Sequence, residues 1–366
     1  MAADHDGGQH RAAVLSAGLK LVHSCWHNRH QAGKQEDDPH MTPISRRGVL
    51  AAGAAAALAR PALAQARYPA RPLQMIVPWG AGGGTDATAR IIAALLEKEL
   101  GQPVNVVNRT GGSGVVGHAA IASANPDGYS IGIITVEIAM MHWQGLTDLT
   151  YASYTPLSLM NRDAPGVQVS ASSPYKDIKA LAEGIKNSPP GKLKASGTGQ
   201  GGIWHLALVG WLQAMGLKPD HVRWVPSNGA APGMQDLVAG GIDIVPCSIP
   251  EARAMLDAGR ARSLAIMAQQ RDPQFPDIPT LKESLGVDYQ TGVWRGIGAP
   301  LKLPPEMAST LTGALERVYK SDQYAEFMKS RGFGMDWGDG AGFNKVMAET
   351  DAAMGVAMKA AGLAKA

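Results

Sequence analysis

The residues with chemistry to offer are mostly glycines. Pro78-Trp79-Gly80-Ala81-Gly82-Gly83-Gly84-Thr85-Asp86 follows a short β-rich run, Gln74 to Val77, and leads into an amphipathic run with Ile92, Leu95 and Leu96 on one side. Thr198-Gly199-Gln200-Gly201-Gly202, after Leu193 to Ser196 and before Ile203 to Met215, repeats the device. Both read as strand, loop, helix. At a helix start the first N–H groups lack partners and the peptide dipoles leave about half a positive charge, so the end suits an anion. Glycine lets a ligand approach the main chain closely. Two such ends facing one another would grip a small carboxylate.

Side chains add less. No G-x-S-x-G elbow, no H-E-x-x-H and no cysteine cluster pairs a nucleophile with a base or builds a metal site. Gly80-x-Gly82-x-x-Thr85 is a near miss to the dinucleotide fingerprint, and Arg109 after the second β-run could meet a 2′-phosphate, so an exported nucleotide-cofactor oxidoreductase is the enzymatic alternative. The third glycine of that fingerprint is absent. Asp86 reads as a carboxylate satisfying helix-start N–H groups rather than as a catalytic acid. His205, in the first turn of its helix, can touch a ligand or orient the loop. Trp79 can stack on a ligand or cover a cleft wall, and Arg109 and Arg295 can pair with a second carboxylate or sit solvated at the surface.

The elements that position these residues follow an α/β order. Pro103 to Val107 is a second strand, a helix is expected from about Val116 to Ala124, Asn125-Pro126-Asp127-Gly128 is a turn, and Tyr129 to Val136 is a third strand. That β-α-β-α-β order is half of a doubly wound parallel sheet. Leu157 to Ser170 reads as extended chain crossing to new material. There, Ser173-Pro174-Tyr175 caps a helix over about Lys176 to Lys186; further strands are expected at Val222 to Val225, Ile242 to Val245 and Ser263 to Met267, with helices at Gly233 to Ala239 and ending at Gly259. Leu285 to Pro300 is β-rich and suits a second crossing, Leu303-Pro304-Pro305-Glu306 opens a helix by its proline placement, and the remainder is mostly helical. The expectation is two α/β domains, 65–165 with 289–366 and 166–288, joined by two crossings with a cleft between them.

A chain of 366 residues, 45% hydrophobic and 18% charged, can bury a core large enough for two domains. Its net charge of +3 comes from scattered lysines and arginines, which excludes the basic stripe of a nucleic-acid binder. Ser45-Arg46-Arg47-Gly48-Val49-Leu50, an alanine-rich apolar run to Leu58 and Ala62-Leu63-Ala64 look like a twin-arginine export signal, cleaved near Gln65, with Met41 as the true start. Residues 1–64 are therefore expected to be absent from the mature protein. The run is too short to span a bilayer, and no cysteine follows it to carry a lipid anchor. Cys25 lies in the removed part, leaving Cys247 alone and no intramolecular disulfide; a lone cysteine of this kind is a small buried hydrophobe.

Taken together, the motifs resemble the Bug proteins, periplasmic receptors that are the solute-binding components of tripartite tricarboxylate transporters. The resemblance is carried by residues 71–109, by Asn125-Pro126-Asp127-Gly128-Tyr129, and by Thr198-Gly199-Gln200-Gly201 with His205-Leu206-Ala207. Gln235-Asp236-Leu237, Gly240-Gly241-Ile242-Asp243, Arg271 to Glu283, and Trp294 with Ala299-Pro300 extend it to almost all of the chain after the signal. It implies a two-domain periplasmic-binding fold of the type II kind. Main-chain N–H groups of the two glycine loops would hold a ligand carboxylate, often through water, at little cost relative to direct bonds. The implied ligand shell is Pro78, Trp79, Ala81, Gly82, Gly83, Thr85 and Asp86 from the first loop, Thr135 and Glu137 after the third strand, Thr198, Gly199, Gly201 and His205 from the second loop, and Asn228, Cys247 and Ser248 at the far end. No cofactor and no metal are implied; the partners are a small organic acid and membrane permease subunits, or a signalling protein instead of the permease, with the receptor a monomer.

The chain departs from the family's pattern in four places: Gly202 where a hydroxyl residue is common, Ser227-Asn228-Gly229, Cys247, and Glu137 where small or hydroxyl residues are usual. Glu137 is read either as contacting a cationic or hydroxyl group on the ligand or as an exposed loop glutamate.

Overall fold

The computed structural model describes residues 68–365, so the export signal, Cys25 and the N-terminal extension lie outside the described residues. The chain opens with β1 (Leu73–Val77), α1 (Gly84–Leu100), β2 (Val104–Asn108), α2 (Val115–Ala122) and β3 (Ser130–Thr135). β1 pairs in parallel with β2 on one side and β3 on the other, as the β-α-β-α-β pattern requires. It is apolar on both faces, with Leu73, Met75, Ile76 and Val77 buried, because helices cover both sides of a parallel sheet. Pro78 then ends it, having no N–H for the ladder. Helix α1 buries Ile92, Leu95 and Leu96 in one cluster with Met75 and Val77, and it stops at Gly101, whose φ of 67° puts it in the left-handed conformation of a helix end.

After β3 the chain adds β4 (Tyr154–Asp163) and leaves the sheet for more than a hundred residues. It returns as β9 (Val293–Pro300), which inserts antiparallel between β3 and β4, and β10 (Met335–Asp339) closes the edge in the order β10-β4-β9-β3-β1-β2. Two long helices, α8 (Pro305–Lys320) and α10 (Gly340–Ala360), pack against this sheet, with α9 (Asp322–Arg331) between them. Pro305 opens α8 at its first turn, where the missing N–H is harmless.

The inserted material forms a second, smaller lobe. Its strands are β5 (Gly166–Ser170), antiparallel to β8 (Ala261–Ile266), and β6 (Lys194–Ala195), parallel to β7 (Arg223–Trp224). Its helices are α3 (Ile178–Asn187), α4 (Ile203–Ala214), α5 (Ala230–Ala239), α6 (Ile249–Asp257) and the short α7 (Leu281–Leu285).

Three local expectations are corrected. The strand at Ile242 to Val245 is reduced to single bridges, Ile244 to Ala195 and Val245 to Gln168, because the Asp243 carboxylate accepts the Lys194 N–H and Pro246 follows. Helix α3 is capped by Asp177, whose carboxylate accepts the Ala180 N–H, and not by Ser173, whose hydroxyl turns to the Tyr175 N–H. In the Leu285 to Pro300 stretch only β9 is a strand.

The lobes touch. One apolar cluster runs from Ile134 and Val136 of the larger lobe into Ile203 and Trp204 of the smaller, so the core is continuous across the boundary.

Candidate functional site

Where β1 ends, the chain turns through Trp79 to Gly83 and enters α1 with no side-chain cap. Asp86 organises this turn from below. Its carboxylate accepts the Gly82 N–H at 3.0 Å, the Asn108 amide at 2.9 Å and both ends of the Arg90 guanidinium at 2.9 Å, while Asn108 also donates to the Trp79 carbonyl. Burial opposes ionisation of Asp86, but these bonds prevail and hold its carboxyl below the usual range. The N–H groups of Gly84, Thr85 and Asp86, first in the helix, are left for something else.

Helix α4 starts in the same way after Gly202, again with no side-chain cap. Here His205 reaches back and accepts the Gly201 N–H on Nδ1 at 2.9 Å, so it orients the loop as a neutral imidazole; burial pushes its pKa down to about 4. A third helix start joins them: α5 begins at Ala230, three residues earlier than its sequence suggests, after Gly229 at φ 124°. All three starts border one narrow cavity between the lobes, with a free volume of about 20 Å³. That is enough for about one water.

Charged groups meet at the same cavity. Arg295 projects from β9 and is 1% exposed; it donates from Nε to Thr85 Oγ1 at 3.0 Å, to Asp163 at 2.6 Å, to Asn161, and to Glu251 Oε1 at 2.9 Å. Glu251 belongs to α6 of the smaller lobe, so this last contact is an ion pair between lobes. Its other oxygen, Oε2, is buried without a partner. Burial, helped by the Asp163 and Glu137 carboxylates and opposed by Arg295, pushes the Glu251 carboxyl up to about 7.

Glu137 makes the reciprocal crossing. It lies in a 3₁₀ turn directly after β3, is 3% exposed, accepts the Thr135 hydroxyl at 2.6 Å, and reaches the Ile203 N–H at the start of α4 at 3.4 Å. Burial raises its pKa also. Thr135 in turn accepts the Trp79 indole N–H at 3.2 Å.

Of the residues expected to contact a ligand, Trp79, Gly83, Thr85, Thr135, Glu137 and Thr198 lie in the cavity wall. The structure does not bring the others there. Ala81 and Gly82 face solvent, Pro78 is buried behind the loop against Gly117, and Asp86 is committed to the loop. Gly199 and Gly201 are covered by the opposite lobe: a Cβ at Gly199 would collide with Ser113, and one at Gly201 with the end of the Gln144 side chain. Asn228 is exposed, and it is its carbonyl that accepts the Gly80 N–H across the gap at 3.1 Å. Cys247 and Ser248 are fully buried away from the cavity, and burial raises the Cys247 thiol well above its ordinary range. Arg109 is exposed, and Glu137 is not the exposed loop glutamate of the second reading.

Glu251, Trp204 and the Ala230–Ala231 helix start were missed as cavity residues, and Arg295, read as pairing with a second ligand carboxylate or sitting solvated at the surface, is buried and paired with Asp163 and Glu251. A lone charge inside the buried strand Val293–Pro300 was the available signal for Arg295. Glu251 carried a misleading one, because Ser248-Ile249-Pro250-Glu251 has the spacing of a capping box, yet Ser248 makes no side-chain cap bond.

Two α/β lobes, each sending uncapped helix starts to one cleft crossed twice by the chain, define a periplasmic solute-binding fold. The chain belongs to the tripartite tricarboxylate transporter family of receptors, whose model matches residues 88–363. It is a solute-binding receptor of that family and not an enzyme, and the family's members are periplasmic binding proteins. A protein encoded in the tcbD-tcbE intergenic region of Pseudomonas sp. (strain P51) is 30% identical over 299 residues, 80% of this chain and 88% of its own. Among solved structures, the periplasmic binding protein BugD aligns with a TM-score of 0.76 at 28% identity, over 82% of this chain and all of BugD. The R. palustris protein Rpa4515 with adipate aligns equally well, at 27% identity over 81% of this chain and 99% of the other.

Proposed function

We propose that this receptor captures a small carboxylate-containing organic acid in the interlobe cavity and delivers it, as a monomer exported by a twin-arginine signal, to the permease subunits of a tripartite tricarboxylate-type transporter. The observation that carries the reading is the convergence of three uncapped helix starts, at Gly84, Ile203 and Ala230, on one narrow cavity. Such starts offer main-chain donors and partial positive charge to an anion. The adipate-bound Rpa4515, of the same fold, supports an acid as the ligand class.

The lobe boundaries that go with this reading are 65–165 plus 289–366 and 166–288. The two crossings between them are the natural hinge. The lobes already meet through Gly80 with Asn228, Gln144 with Gly201 and Arg295 with Glu251. A ligand must therefore enter through an opened form, and contacts to helix starts of both lobes favour reclosure. The permease then reads the closed shape.

A thermal-shift panel of mono-, di- and tricarboxylic acids tests the proposal. An acid at about 100 times its dissociation constant adds about 2.7 kcal/mol of stability. A panel in which no acid shifts the transition, with the protein folded, refutes it.

A further inference from the structure

The cavity holds more negative charge than it can balance. Beside it lie three buried carboxylates, Asp163, Glu137 and Glu251, and among the described residues lining it the only cation is Arg295. That guanidinium is already spent on Thr85, Asp163, Asn161 and Glu251. Buried carboxylates are ordinarily paired or neutralised, and here burial raises the proton affinity of both glutamates against the opposing pull of Arg295.

Acceptors are in surplus as well. Glu251 Oε2 and Thr198 Oγ1 are buried with no partner, and Glu137 Oε1 has only the long 3.4 Å contact to the Ile203 N–H. All three residues line the same cavity. A protonated amine brings three donors and one positive charge.

Resting on the acid-binding reading above, we propose that the acid held here also carries a protonated amine, seated between the carboxylates of Glu137 and Glu251, so that these two glutamates select amino acids over plain acids. A second ligand carboxylate in that place meets two like charges. The helix starts take the ligand carboxylate while the glutamates take its ammonium group.

The test is calorimetry on the exported chain at pH 7.5 with matched probes: butyrate against 4-aminobutyrate, succinate against aspartate, adipate against 2-aminoadipate. In at least one pair the amino compound binds ten times more tightly or better. Glu251→Gln and Glu137→Gln each weaken that compound at least tenfold and leave its deaminated partner as tight or tighter. A readout on the unaltered protein accompanies them: titrations at pH 7 in buffers of different ionisation enthalpy show protons released on binding, because the ammonium group restores ionised glutamate. Plain acids that bind as well as their amino partners in every pair, or proton uptake on binding, overturn the selectivity and leave the acid reading standing. Silence from all six compounds while another acid of the wider panel binds overturns the amine reading alone; silence from the whole panel removes both.

Discussion

Replacing Glu251 with glutamine should change how stability depends on pH more than it changes stability itself. The Glu251 carboxyl is fully enclosed and pushed up to about 7 from an ordinary value of 4.5. A group whose folded pKa exceeds its unfolded one stabilises the fold fully below the unfolded value, and that contribution is lost as pH rises through the folded value. The window is therefore about pH 4.5 to 7, and a gap of about 2.5 units at 1.36 kcal/mol each makes the contribution about 3 kcal/mol. Glutamine resembles the protonated glutamate at every pH. Relative to wild type, Glu251→Gln should thus be about 3 kcal/mol better off at pH 8 than at pH 4.5. Taking the difference matters, because His118 and His205 shift wild type and variant alike. Urea unfolding of both proteins at half-unit intervals from pH 4.5 to 8 reads this directly. A difference between the two that stays constant within about 1 kcal/mol, or moves the other way, refutes the burial argument.

His118 is fully buried, accepts the Thr135 N–H, contacts the Gly114 carbonyl, and is pushed down to about 4 by burial. Its stabilisation is present above pH 6.5 and is lost as pH falls toward 4, so His118→Gln should flatten the acid limb of the stability profile in the same urea experiment. Gly199→Ala sets a Cβ against Ser113, whose own main-chain Cα lies 2.8 Å from it; the clash should cost about 1–3 kcal/mol and open the lobes, seen as a larger radius of gyration by small-angle scattering. An unchanged radius would show that Ser113 gives way without moving the lobes. Ile203→Pro puts proline at the first residue of its helix, where it is tolerated, and deletes the N–H that faces Glu137 and the cavity. Acid affinity should fall about tenfold or more with the helical circular dichroism unchanged; retained affinity would remove that donor from the site.

How much of this was legible without coordinates follows the range of the interactions. The β-α-β-α-β opening, the helix starts after Gly83 and Gly202 and the proline start of α8 are written in neighbouring residues, because strand period, glycine loops and helix beginnings are local. The motif order was enough to place the chain in its receptor family. What tertiary structure alone decided is which side chains share the cavity. Gly199 and Gly201 sit in a loop of the expected kind, yet their lack of a Cβ serves Ser113 and Gln144 of the opposite lobe. Asp86 is turned to its own loop, and Cys247 and Ser248 go to the core. Arg295 and Glu251, 44 residues apart in the chain and on different lobes, become one ion pair. Local sequence encodes where a backbone donor will be left unpaired, but it carries no information on which distant charge will be pressed against it; that is settled when two lobes close and burial makes each uncompensated carboxylate find, or lack, its counterion.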